Sequence, residues 1–112
     1  MQPFDKEYVC DIAKQILNID SPTGYTKRAI DFMDEEAKKL GYTTGRNQKG
    51  NLLIYVDGKD SEHTLGLSAH LDTLGLMVRS IKDNWKHAIT NVWGTSLPTL
   101  DWEYCKIYAR DG

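Results

Sequence analysis

The residues best suited to chemistry in this chain are His70 and Asp72, in the run Leu67-Ser68-Ala69-His70-Leu71-Asp72-Thr73-Leu74-Gly75. An imidazole nitrogen is a good donor to zinc or cobalt. A carboxylate two residues further on can turn back towards the same place. There it can orient a catalytic group or hydrogen-bond the ligand from behind. Spacing alone makes His-x-Asp a weak signal, because a lone histidine at a strand end is more often structural.

The other candidates read more plainly. His63 follows the polar run Asp60-Ser61-Glu62 and is expected to be a solvated loop residue. His87 lies just beyond Trp85-Lys86 on an expected hairpin arm, with surface exposure as the default. Cys10 falls within the first helix, where a small packed residue is expected. Glu35 and Glu36 are helix neighbours that point in different directions, which suits a solvated face better than a paired-carboxylate site. Trp85, Trp93 and Trp102 gather in the last third. Packing in a β core is the first expectation for them, and a subunit interface the second.

The elements that position His70 follow from periodicity. Asp5 to Ile19 predicts a helix, with Tyr8, Ile12 and Ile16 at four-residue spacing beside Val9, Ala13 and Leu17. Asp20-Ser21-Pro22-Thr23-Gly24 breaks that pattern and predicts a loop. Thr26 to Leu40 predicts a second helix, and Gly41 sits where a left-handed cap belongs. Strands are expected at Tyr42–Thr44, at Leu52–Val56 and at Thr64–Ala69, the last leading directly into His70. Leu74–Ile81 and Trp85–Val92 predict two arms of a hairpin around Asp83-Asn84, and Tyr104–Ala109 a last strand. Sites in open α/β sheets tend to form at the carboxyl ends of strands, where His70 falls.

Bulk properties narrow the function classes. A chain of 112 residues suffices for one small domain with a modest core. A formal net charge of -2 gives no reason to expect nucleic acid or an anionic membrane as partner. Apolar runs of about five residues fall far short of the ~20 needed to span a bilayer. The N-terminus lacks a basic region followed by an apolar one, so no signal peptide is expected. Two distant cysteines, Cys10 and Cys105, suit a reduced, cytoplasmic protein. At the other end, Arg110-Asp111-Gly112 is a turn signal with no strand after it. It is read as a chain that stops inside a domain, with a frayed terminus as the alternative.

The residues around His70 carry more information than His-x-Asp itself. Ser68 to Val78, Ser-Ala-His-Leu-Asp-Thr-Leu-Gly-Leu-Met-Val, resembles the first metal-binding motif of the glutamyl-aminopeptidase family. These are dinuclear metallo-aminopeptidases, also called tetrahedral or deblocking aminopeptidases, some of them named as endoglucanases. Ser21-Pro22-Thr23-Gly24 is similar to the family's early loop, and Lys49-Gly50-Asn51-Leu52-Leu53 to its Gly-Asn strand start. Arg79–Lys82 and Tyr104–Gly112 resemble the opening strands of its inserted domain. The likeness covers nearly the whole chain, in order. Its most specific part is His70 to Val78. The chain departs from the pattern at Trp93-Gly94, where the family usually has a glycine pair, and at Trp85, where it often has glycine.

The resemblance implies an α/β fold: residues 1–73 as the N-terminal part of a zinc-peptidase-like catalytic domain, and residues 74–112 as the first strands of an inserted all-β dimerisation domain. It implies that His70 binds one of two divalent metal ions, zinc or cobalt. Asp72 would hold that histidine or nearby catalytic groups without being a direct ligand. It further implies a peptide substrate and a dimer-based homo-oligomer, up to a dodecamer. The family's remaining ligands and its general base have no counterpart here, so the 112 residues are expected to be inactive alone. Two alternatives stay open: a related metal-dependent carboxypeptidase or deacylase, and a non-catalytic module that retains the fold.

Overall fold

A computed structural model describes residues 4–60 and 62–109 of the chain. The elements run in the order helix α1 (Lys6–Leu17), helix α2 (Lys27–Lys39), strands β1 (Thr43–Arg46), β2 (Leu52–Tyr55), β3 (Gly75–Ile81) and β4 (His87–Val92), and a 3-10 turn at Leu97–Leu100. The fold is mixed α/β. The chain divides into two compact units, Met1–Thr73 and Leu74–Gly112. Among the described residues no helix is long and apolar enough to cross a membrane.

In the first unit α1 starts where Asp5 caps it, accepting from the Tyr8 amide at 3.0 Å. The helix stops two residues before the predicted Ile19. Asn18 takes over there: its side chain donates to the Lys14 carbonyl at 2.7 Å and its amide to that of Gln15 at 3.2 Å. The expected apolar stripe is only partly covered. Ile12 and Ile16 are half-buried, whereas Val9 and Leu17 are exposed. Cys10 is exposed as well, so it is not the packed residue the sequence suggested.

Helix α2 packs against β1 and β2 and supplies Ala29 and Ala37, the buried apolar residues among those described. Its end is a Schellman motif: the Tyr42 amide donates to Ala37 at 3.0 Å and the Gly41 amide to Lys38 at 2.9 Å. That geometry needs a left-handed residue, and Gly41 has φ 86°. Polar contacts fasten the hairpin to the helix. Thr44 Oγ1 donates to Asp34 Oδ1 at 2.6 Å, and Arg46 donates to Asp31 at 2.7 Å and Asp34 at 3.2 Å. Glu36 departs from the solvated face expected of it. It is half-buried and accepts from Tyr8 Oη at 3.4 Å and from Lys39.

Strands β1 and β2 pair antiparallel, Thr43 opposite Tyr55 and Arg46 opposite Leu52. The intervening loop closes on Asn47, whose Oδ1 accepts from the amides of Lys49 and Asn51, both at 3.0 Å. The strand expected at Thr64–Ala69 does not form. No strand among the described residues pairs with it, and Leu65 and Leu67 are 86% and 91% exposed. A strand without a neighbour leaves its backbone groups to water and gains nothing from being straight.

In the second unit β3 and β4 pair antiparallel, with Arg79 as an extra residue where the register shifts between Val78 and Ser80. The arms are shorter than expected, since Trp85 belongs to the turn. The Trp85 amide donates to Lys82 at 2.9 Å, and Trp85 has φ 62°. A turn followed by a left-handed residue is the usual three-residue hairpin loop, with glycine its ordinary occupant. Trp102 also sits in a glycine position. Asp101 has φ -62° and ψ 123°, Trp102 φ 71°, and the Glu103 amide donates to Leu100 at 3.2 Å. That is a type II turn with tryptophan third. Trp93 has φ 65°. All three indoles are exposed, so core packing of the tryptophans is not found. Nor is the strand expected at Tyr104–Ala109: those residues are irregular. The turn signal at 110–112 lies outside the described residues.

Candidate metal-binding site

The site is built from two stretches of chain that lie far apart in sequence and meet in the first unit. Pro22-Thr23-Gly24-Tyr25 forms a turn closed by the Tyr25 amide on the Pro22 carbonyl at 2.7 Å. Gly24 has φ 89° in the third position, which type II turns require and which only glycine adopts freely. The turn is joined to the segment after His70 by backbone. The Thr73 amide donates to the Ser21 carbonyl at 2.9 Å, and Pro22 and Thr73 form a parallel bridge. The Ser21 hydroxyl, wholly buried at 1% exposure, donates to the Leu71 carbonyl at 2.8 Å.

On that platform Thr23 Oγ1 donates to Asp72 Oδ2 at 2.6 Å. The other carboxylate oxygen, Oδ1, lies 3.1 Å from His70 Nδ1, and the Asp72 carbonyl lies 3.2 Å from the same nitrogen. A carbonyl oxygen can only accept, so Nδ1 carries the proton in this arrangement, and in the neutral form of the ring Nε2 is the unprotonated nitrogen. Nε2 then keeps its lone pair. The ring is 87% exposed, which leaves that lone pair open to solvent. The Thr23 hydrogen bond is the main influence holding the Asp72 carboxyl below its ordinary range, with smaller help from His70. Asp72 is therefore a carboxylate at neutral pH, engaged at both oxygens.

The chemistry available is that of one oriented imidazole donor. Among the described residues no group of three or more His, Cys, Asp or Glu side chains comes together to hold a metal ion. A catalytic zinc ordinarily takes three protein ligands. His70 fits the part of a single donor, and the described residues do not complete a centre around it.

Of the residues singled out in sequence, the structure brings His70 and Asp72 together. His63 stays in its loop, where Asp60 accepts its amide at 3.2 Å. His87 is exposed on β4, in the other unit. Sequence reasoning missed Ser21 and Thr23 as parts of the site. A hydroxyl about fifty residues from its partner leaves no spacing signal, and the Pro-Thr-Gly run announces only a turn.

Residues 50–112 match the family described as M42 glutamyl aminopeptidase. Over 102 residues, 91% of the chain, the sequence is 34% identical to a Bacillus subtilis (strain 168) protein assigned by name as an aminopeptidase, YhfE. The chain spans 30% of that relative's length.

Proposed function

Because this chain belongs to the M42 glutamyl aminopeptidase family, we propose that His70 is one metal ligand of an enzyme that hydrolyses N-terminal residues from peptides. The observation that carries this reading is the His70–Asp72 contact at 3.1 Å, which commits Nδ1 and leaves Nε2 as the donor. Asp72 orients the ring and is not itself a ligand, since both its oxygens are already engaged.

The centre is a pair of divalent ions, zinc or cobalt, and its remaining ligands come from outside the described residues. Such ions supply Lewis acidity and lower the pKa of a bound water. This chain's own contribution is a histidine held in one tautomer on a fixed loop. The division after Thr73 and the β3–β4 hairpin support reading residues 74–112 as the first strands of an inserted β domain that mediates dimerisation. Two free, exposed cysteines suit a reducing, cytoplasmic setting.

The test is an assay of the full-length protein on one peptide series with free and with acetylated N-termini. Release of the first residue from the free peptides alone is expected. Cleavage of acyl-amino acids, or of the C-terminal residue, without aminopeptidase activity would replace this reading with a deacylase or carboxypeptidase.

A further inference from the structure

We infer that Thr23 is a positioning residue for the metal-binding histidine, acting through Asp72; the inference rests on the proposed role of His70. A carboxylate turns easily about its last bond, because that torsion has broad, shallow wells. An Asp72 held only by His70 would present either oxygen, or swing away. The 2.6 Å bond from Thr23 to Oδ2 removes that freedom and fixes Oδ1 against Nδ1.

Thr23 can do this because its own place is set by backbone. The turn closed at 2.7 Å, the left-handed Gly24, the Thr73–Ser21 bond and the buried Ser21 hydroxyl on Leu71 tie residues 21–24 to residues 71–73. A ligand is held accurately when its supporting groups are themselves fixed. The chain of contacts then runs Thr23, Asp72, His70, and its product is a histidine with one tautomer and a free Nε2. Only a hydroxyl serves at position 23. Valine keeps the shape of threonine but has no proton to give.

The experiment compares Thr23→Val, Thr23→Ser and His70→Ala with the wild type in the full-length protein. It reads zinc affinity by competition with a chromogenic chelator, and the His70 tautomer in the metal-free protein by 15N NMR. For Thr23→Val the zinc dissociation constant is expected to rise about 10-fold, the lower end for losing a group that supports a ligand. Its His70 signal should shift part of the way from the Nδ1–H form towards a mixture of both tautomers, because the Asp72 carbonyl alone then holds that proton. Thr23→Ser restores the hydroxyl and should stay within about threefold of wild type with its tautomer intact. Should Thr23→Val fail to fold, Thr23→Ala against Thr23→Ser carries the same comparison.

Wild-type affinity and tautomer in Thr23→Val would overturn the inference while His70→Ala still loses zinc. Full zinc retention in His70→Ala would instead overturn the reading of His70 on which the inference rests. A purely structural role for Thr23 would lower the melting temperature and leave the tautomer unmoved, and that result also counts against it.

Discussion

Ser21 and Leu71, fifty residues apart, are joined by a hydrogen bond from a fully buried hydroxyl to a backbone carbonyl, 2.8 Å long. Ser21 also accepts from the Thr73 amide through its own carbonyl. These two bonds bracket Asp72 and set the loop that carries His70 beside the turn that carries Thr23.

Loss of that hydroxyl removes a part-buried tie between the two segments. Ser21→Ala leaves the Leu71 carbonyl without this partner, at a cost of about 1 kcal/mol. Urea unfolding should show the loss as a lower midpoint with an unchanged slope. A midpoint equal to wild type would mean the two segments are joined by the backbone contacts alone.

The Asp34 cluster predicts a pH dependence. Thr44, Lys38 and Arg46 surround the Asp34 carboxyl and hold its pKa down at about 2. A depressed carboxyl stabilises the fold above its unfolded pKa, near ~3.9, and that stability is lost as pH falls through the folded value. The first unit should therefore weaken between about pH 4 and pH 2. Asp34→Asn should be less stable than wild type at pH 6, and most of that gap should be gone by pH 2. A gap of constant size across that range would show that the cluster is not the source.

The tryptophans make a third case. A left-handed backbone costs an L-residue roughly 1–2 kcal/mol, and glycine avoids this at some cost in unfolded-state entropy. Trp85→Gly and Trp102→Gly should each stabilise the second unit by about 0.5–1 kcal/mol. The indoles are 81% and 100% exposed, so little packing is lost with them. Thermal unfolding of the single variants measures this directly. Destabilisation would show that the exposed rings find partners in the full protein.

Much of the fold was legible because it is local. Asp5, Gly41 and the apolar spacing of α2 fixed the helices to within two residues, and Asp83-Asn84 located the hairpin. The misses share a cause, in that they depend on partners sequence does not display. Leu65 and Leu67 alternate like a strand, but a strand exists only beside another. Glu36 looked solvated until Tyr8, from the other helix, reached it. The tryptophans looked like core because their bulk suggests burial, whereas each stands at a left-handed backbone position, which decides its place by backbone more than by side chain. The candidate site divides the same way. His70 and Asp72 are two residues apart and were visible, while Ser21 and Thr23 become part of it only once the chain folds back.

Metal chemistry gives a further expectation for the 112 residues alone. One donor cannot hold zinc firmly. Removing metal with a chelator should leave the far-UV spectrum and melting curve of this chain unchanged. A marked fall in melting temperature would reveal a complete structural metal site within it.

The most direct measurement is the metal content of the purified full-length protein, wild type against His70→Ala, by inductively coupled plasma mass spectrometry. If His70 is a ligand of the catalytic centre, the variant should lose at least one of two bound zinc or cobalt ions per subunit while keeping its fold. A folded His70→Ala protein with undiminished metal content would contradict the assignment of His70.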